Sequence, residues 1–333
     1  MAQAADGQGW NPERIAARLP RLRRRAALAA ATRAFFGARG YLEVETPYAV
    51  PVPGEEVHLR AFRTERVAPD GGRRPLWLNT SPEFSMKKLL AAGSGPIFQL
   101  ARVWRNEEGS DTHSPEFTML EWYRPGASLD DLMDETEAYL RAVLPPEVSC
   151  RGVTTRLGRF ERLSVAEAFR RFAGIEVLAS VGDAPALARA AGIALREGED
   201  WEDLFFRLML ERVEPHLGRA CPTFLSAWPA PLAALARRDP RDSRLAERFE
   251  LYLCGMELAN AFAELTDAAE QRARFLADRA RRAALYGSEG WPLDEALLAA
   301  LPAMPECAGI ALGFDRLAMI ATGAARITDV LSM

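Results

Sequence analysis

The stretch from Phe98 to Tyr123, FQLARVWRNEEGSDTHSPEFTMLEWY, sets acids and a histidine into a polar loop between two apolar runs. Ile97 to Arg105 and Glu116 to Arg124 are rich in Phe, Leu, Val, Met, Trp and Tyr, whereas Asn106 to Pro115 carries Gly, Ser and Pro. The expected local structure is strand, loop, strand. Successive side chains of a strand alternate between its faces, which puts Phe117, Met119, Glu121 and Tyr123 on one surface. A ring, a carboxylate and a phenol sharing a face mark a nucleotide-site hairpin, because a packed core strand has no use for Glu121. Neither GxGxxG nor GxxxxGK[ST] occurs in the chain, so any phosphate has to be held by side chains.

Three clusters of arginine and acid could do so. Arg105 with Glu107 and Glu108 ends the first strand of the hairpin; Glu257, Asn260 and Glu264 lie in the apolar context ELANAFAEL; Asp315 and Arg316 open the last helix. A cation in the first turn of a helix opposes the helix dipole by roughly 0.3–1 kcal/mol, so Arg316 is best placed if an anion stands before it. A surface arginine paired with a nearby acid is the plainer alternative. Glu257 and Glu264 are expensive to bury unless a cation answers them, and magnesium is one such cation. A solvated strand edge is the other reading. Glu257 and Asn260 are an odd number of residues apart, so a regular strand would aim them at opposite faces, and sharing a site requires a bulge between them. His113 either reaches a phosphate from the loop or caps the turn at Ser114-Pro115. His58 and His216 have no partner visible in the sequence, and the arginine run from Arg18 to Arg25 suits a solvated helix face.

The elements that must position these groups follow from periodicity. Residues 1 to 11 look frayed, a helix runs from Pro12 to Arg39 and ends at Gly40, and a strand covers Tyr41 to Thr46. Leu76 to Asn79 is extended and leads into a short helix through Leu90. Leu129 to Leu144, Ser164 to Phe172 and, with interruptions, Ala184 to Val213 have helical spacing, so about 150–244 reads as a helical insertion rather than a second sheet. Arg248 to Glu264 and Gly309 to Leu312 are strand-like, with a helix from Ala268 to Tyr286 between them and another from Gly313. Strands segregated from helices give an α+β fold. The chain of 333 residues is 49% apolar and can bury a sizeable core, while its net charge of −4 argues against coating nucleic acid by bulk charge. Cys150, Cys221, Cys254 and Cys307 form no CxxC pair, which suggests buried thiols in a reducing compartment. No run reaches the roughly 18 apolar residues of a membrane span, and a cytoplasmic address is expected.

Five segments in this order resemble class II aminoacyl-tRNA synthetases. GYLEVETPY from Gly40, the hairpin quoted above and GIALGFDRLAM from Gly309 are similar to motifs one, two and three, and TSPEFSMKKLL and GMELANAFAELTD are similar to segments of the lysyl branch. The resemblance implies an antiparallel sheet flanked by helices, ATP with Mg2+, and a homodimer with Pro47 at its interface. It implies adenylation, in which an amino-acid carboxylate attacks the α-phosphate in line and charge stabilisation is the main task. By the same resemblance Arg105 contacts the α-phosphate, Glu107 the adenine amino group and His113 the phosphates, Phe117 and Arg316 sandwich the base, and Asn106, Leu258 and Gly313 complete the ATP site. Glu257 and Glu264 would hold the metal. Ser81, Pro82, Glu83, Glu121, Tyr123, Asn260, Glu264 and Ala311 would meet the substrate, an acidic pocket being what a diamine asks for. Only a short segment precedes motif one, so 1–333 is expected to be one catalytic domain without an N-terminal anticodon-binding OB domain. That layout, with alanine at Ala311 where synthetases usually carry glycine, resembles the bacterial paralogues that attach (R)-β-lysine to a lysine of elongation factor P; tRNA is not expected as the main acceptor. Ser114 and Ala263 depart from the paralogues' usual asparagine and histidine. A minimal lysyl-tRNA synthetase or tRNA-independent lysine adenylator is the enzymatic alternative. A non-catalytic regulatory subunit is another, disfavoured by the intact set Arg105, Glu107, Glu257, Glu264 and Arg316.

Overall fold

Leu120 and Trp122 alternate with Met119, Glu121 and Tyr123 along the second hairpin strand, and this alternation divides the whole molecule. The computed structural model describes residues 11–287 and 290–332. The expected frayed start lies, up to residue 10, outside the described residues. An eight-stranded sheet is built from β1 (Leu42–Glu43), β2 (Ile97–Trp104), β3 (Glu116–Pro125), β4 (Glu161–Ser164), β5 (Thr223–Pro229), β6 (Leu245–Leu253), β7 (Met256–Ala263) and β8 (Cys307–Gly313). Its spatial order is β1-β2-β3-β8-β7-β6-β5-β4. Neighbours run antiparallel except at the two edges, where β1 pairs with β2 and β4 with β5 in parallel.

One face of this sheet is the main core. Leu120, Trp122, Leu251, Ala261, Ile310 and Leu312 pack there against Phe36 of α1 (Pro12–Gly37), Tyr139 of α3 (Leu129–Val143) and Leu317 of α5 (Phe314–Thr322). Each fully buried side chain of that size contributes about 1.5–3 kcal/mol, which is what holds the sheet flat against its helices. The start of α3 is fixed by a capping box: Ser128 Oγ accepts from the Asp131 amide at 3.1 Å and the Asp131 carboxylate accepts from the Ser128 amide at 2.9 Å. The opposite face is left to α2 (Glu83–Ala91), α4 (Ala268–Tyr286) and the loops, and it carries the polar residues of the hairpin.

Several boundaries differ from the sequence reading. Helix α1 stops at Gly37, two residues before Arg39, and the turn that follows ends at Gly40 with φ 77°. The single strand expected over Arg248 to Glu264 is a hairpin: Leu253 pairs with Met256 across Cys254 and Gly255, at φ 54° and 70°. Two central residues at positive φ are what a two-residue hairpin loop requires. The middle third carries the expected helices, including Ala184–Ala191 and Trp201–Leu208, around a second core of Phe169, Leu204, Phe205 and Trp228. It also supplies β4 and β5, which extend the main sheet. The four cysteines are free, and no helix among the described residues is long and apolar enough to cross a membrane.

Candidate active site

Strand register lines up the groups that sequence spacing could only place on separate strands. Gln99, Glu121, Ala311, Asn260 and Glu250 are consecutive partners across β2, β3, β8, β7 and β6. Two residues further along, Tyr123, Gly309, Phe262 and Arg248 form the next row on the same face. Together with α2 and the hairpin loop, these rows wall a cavity of about 350 Å³ that includes Ser81, Glu83, Arg105, His113, Phe117 and Arg316. Gly309 explains how the rows fit: a Cβ there would stand 2.3 Å from the Tyr123 ring and 2.4 Å from Glu264 Oε1. Only glycine leaves room for both side chains.

One end of the cavity is acidic. Glu121 is 1% exposed, with Ser81 Oγ donating to Oε1 at 2.5 Å and Tyr123 Oη donating to Oε2 at 3.1 Å. Burial, with Glu83 adding to it, pushes the Glu121 carboxyl up to about 8. Lys87, also 1% exposed, lies between Glu83 at 2.5 Å and Glu264 at 2.7 Å. Its ammonium is desolvated, yet the two carboxylates hold its pKa above the ordinary lysine value, so it stays a cation. Three carboxylates and one ammonium leave this end with two negative charges to answer once Glu121 is ionised.

The other end is basic. The Arg105 guanidinium lies 5.3 Å from the Phe117 ring centroid, and its Nε donates weakly to the Thr80 carbonyl at 3.5 Å. It forms no ion pair with any described residue. Arg316 donates from Nη1 to the Glu257 carbonyl at 2.6 Å and stands 3.8 Å from the Glu257 carboxylate. Its Nη2 donates to His113 Nε2. A guanidinium only donates, so Nε2 accepts and the imidazole proton sits on Nδ1, 2.8 Å from Ser110 Oγ. Burial, reinforced by the Arg316 charge, lowers the His113 pKa and keeps the ring neutral. Asp315 is drawn away from the cavity's chemistry: buried at 1%, it pairs with Arg25 at 2.7 Å and accepts from the Thr118 amide. One member of the Arg18 to Arg25 run thereby ties α1 to α5.

The bulge required between Glu257 and Asn260 is present. Leu251 pairs with Ala259 and Tyr252 with Glu257, which leaves Leu258 as the extra residue and brings Glu257, Leu258 and Asn260 to the same cavity. Ala311 and Gly313 also line it. Glu257 and Glu264 are not brought together, and they cannot share one metal ion. They lie at opposite ends of β7, roughly 20 Å apart at strand rise, and Glu264 is engaged by Lys87. No group of three His, Cys, Asp or Glu among the described residues is arranged to hold a metal unaided. Asn106 and Glu107 stand outside the cavity wall. The Asn106 side chain accepts from the Glu107 amide at 3.0 Å, and the Glu107 side chain is 64% exposed, 3.9 Å from Arg60. Pro82 acts as the N-cap of α2 rather than as a contact. His58 and His216 do have partners, the Tyr286 hydroxyl at 3.0 Å and a stacked Phe172 ring.

Four residues of the site escaped the sequence reading. Lys87 left one signal, a lysine four residues after Glu83 in a chain whose only lysines are Lys87 and Lys88. Gly309 and Glu56, which lines the cavity from a loop, left none. Glu250, raised to about 7 by burial and then by Glu257, was legible as an acid inside the apolar run FELYL.

The comparisons with known proteins agree with this geometry. Residues 16–333 match the family described as tRNA synthetases class II (D, K and N). A protein of Sodalis glossinidius (strain morsitans), named elongation factor P--(R)-beta-lysine ligase, is 44% identical over 335 residues, which cover 98% of each chain. Proteins of the same name from Proteus mirabilis (strain HI4320) and Salmonella arizonae are 44% and 45% identical, over 100% and 97% of this chain and 98% and 96% of theirs. The chain belongs to the class II tRNA synthetase family (D, K and N) and, within it, to the group of the elongation factor P (R)-β-lysine ligases.

Proposed function

We propose that this ATP-dependent ligase adenylates (R)-β-lysine and transfers it to the ε-amino group of a lysine of elongation factor P. The observation that carries this reading is the charge layout of one cavity: an acidic end that has two negative charges to answer once Glu121 is ionised, beside an arginine that pairs with no carboxylate among the described residues. A doubly cationic amino acid and a triphosphate are the two ligands that layout fits. The relatives' shared name supports the choice of amino acid and acceptor.

In the first step a carboxylate oxygen of β-lysine bonds to the α-phosphorus of ATP, and the bond from that phosphorus to the pyrophosphate oxygen breaks. Arg105 and Arg316 supply positive charge where charge develops, fixed before the reaction begins. Phe117 and Arg316 offer a ring face and a guanidinium plane to the base. Glu83, Glu121, Tyr123 and Glu264 fix the two ammonium groups, so the carboxylate is presented at one place. The methyl of Ala311 lies in the row between Glu121 and Asn260 and crowds an α-amino group more than a β-amino group. Mg2+ is usually held by one or two carboxylates together with substrate phosphates, and Glu257, half-exposed in the cavity, is the residue that fits that use. When bound, the ion would neutralise charge on the phosphate oxygens. Transfer needs no covalent enzyme intermediate, because the acceptor amine attacks the mixed anhydride directly. We further infer a homodimer, with Pro47 and the exposed edge strand β1 near its interface, working in the cytoplasm with no tRNA as its main acceptor.

The test is pyrophosphate exchange with β-lysine and α-lysine side by side, followed by mass spectrometry of elongation factor P after incubation with the protein, ATP and β-lysine. Exchange that prefers β-lysine and a factor heavier by one lysyl residue are expected. Preference for α-lysine together with labelled tRNA would refute the proposal.

A further inference from the structure

Two further hollows are linked to the cavity just described through shared walls. One, of about 220 Å³, shares Glu56, Leu59, Asn260 and Phe262 with it as a common wall. The other opens at the surface beside Glu197 and Asp203 and shares His58, Glu202 and Phe206 with the middle one. The three make a file that runs from the surface of the insertion, at the Trp201–Leu208 helix, to the row of residues around Asn260. Phe206 stands at the outer join and is 40% exposed there.

The middle hollow has a particular chemistry. Leu232, Leu235, Phe206 and Phe275 give it apolar sides, and Glu55, Glu202 and Asp278 give it acids. Its two arginines are already engaged, Arg281 by Glu202 and by Asp200 at 3.0 Å, and Arg248 by Glu250 at 2.5 Å and Asn260 at 3.1 Å. Two of the acids are poorly answered. Glu55 is 4% exposed; Oε1 accepts from Arg279 at 3.3 Å, while Oε2 has no hydrogen-bond partner among the described residues. Asp278 has no ion pair among them. Burial raises Glu55 to about 7 and Asp278 to about 6, so both are carboxyls that an incoming cation would hold in the charged form. Apolar sides with under-compensated acids suit an alkyl stem that carries an ammonium group.

Building on the proposed function, we propose that this file of hollows is the entry channel for the acceptor lysine of the protein substrate, with its mouth beside the Trp201–Leu208 helix. It delivers the second amine along a path separate from the acids that hold the first. On arrival the ammonium gives one proton to Glu56, which belongs to both cavities. The freed lone pair forms a C–N bond with the carbonyl carbon of the adenylate, the bond from that carbon to the phosphate oxygen breaks with its electron pair leaving on AMP, and the second N–H proton passes to the departing phosphate. The insertion is thereby assigned a task, reception of the protein partner.

Two variants test the channel at different points, Ala234→Trp, which fills the middle hollow, and Asp278→Lys, which repels a cation there. Both are assayed for β-lysine-dependent pyrophosphate exchange, for discharge of the adenylate by hydroxylamine, and for modification of elongation factor P. Exchange and hydroxylamine discharge within twofold of wild type, with modification at least tenfold slower, is the expected result. Modification at the wild-type rate in both variants would overturn the channel, and so would loss of exchange in parallel with modification, since the hollow would then serve the first step. Failure of the underlying reading appears elsewhere: the wild-type enzyme itself would leave the factor unmodified, which overturns both.

Discussion

Replacing Glu121 by glutamine should make the protein more stable in alkali while weakening its grip on the amino acid. A glutamate side chain ordinarily titrates near 4.5, and burial beside Glu83 brings Glu121 to about 8. A carboxyl whose pKa is raised by folding costs nothing below its unfolded pKa, because both states are then protonated. The cost grows by roughly 1.4 kcal/mol per pH unit as pH rises toward the folded pKa, and it is constant above that. Between pH 6 and pH 9 this one group removes about 2–3 kcal/mol from the stability of the wild type. Glu121→Gln loses none of it, since the amide does not ionise and Ser81 and Tyr123 hydroxyls can each donate or accept. Urea unfolding at the two pH values, followed by tryptophan fluorescence, measures the difference: the gap between variant and wild type should widen by about 2–3 kcal/mol toward pH 9. Exchange assays should show the opposite for function, because a hydrogen bond to a charged partner is worth about 1.5–3 kcal/mol and the KM for β-lysine should rise at least tenfold. Stability curves that run parallel from pH 6 to pH 9 would refute the claim that Glu121 is held above its ordinary range.

Two other substitutions separate the acidic end from the rest. Gly309→Ala puts a methyl 2.3 Å from the Tyr123 ring; overpacking of this kind costs about 1–3 kcal/mol, and exchange kinetics should show a raised KM for β-lysine with the KM for ATP within twofold. Lys87→Met strips the cation from Glu83 and Glu264, so denaturant unfolding at pH 8 should show a loss of about 3–5 kcal/mol, smaller at pH 6 where Glu264 can take up a proton.

The hairpin was legible because its signal is local. Period two, a polar loop and a Pro fix both strands within a short stretch of chain, and the same alternation assigns Glu121 and Tyr123 to the cavity face and Trp122 to the core. The bulge at Leu258 was legible as a requirement, from the spacing of Glu257 and Asn260. The turn at Cys254-Gly255 was not, since cysteine rarely adopts positive φ and a lone glycine inside an apolar run looks like strand. Strands β4 and β5 were hidden in the insertion for a similar reason: they are short, and their neighbours are helical. Lys87 shows the limit most clearly. Its pairing with Glu83 follows helical spacing, but no local pattern says that the same ammonium reaches Glu264, because α2 and β7 meet only in the folded chain. Two acids in one segment suggested that Glu257 and Glu264 both serve a metal, but an extended strand holds them too far apart to meet at a single ion.

The charge layout also says why such a site persists in a protein that gains stability from neutralising it. Arg105 pairs with no carboxylate among the described residues, although Glu83, Glu121 and Glu257 line the same cavity. Direct pairing across the cavity would settle both charges and leave nothing for a ligand. The register prevents it: Glu121 is tied back by Ser81 and Tyr123, Glu83 and Glu264 are committed to Lys87, and Glu257 lies beside Arg316 beyond the bulge. Each restraint comes from the rigid sheet or from α2, so the charges cannot relax toward each other when the cavity is empty. A zwitterion with two ammonium groups and a triphosphate then relieve the acidic and basic ends at once. Binding energy released in that way orients the carboxylate toward the phosphorus rather than merely retaining the substrate.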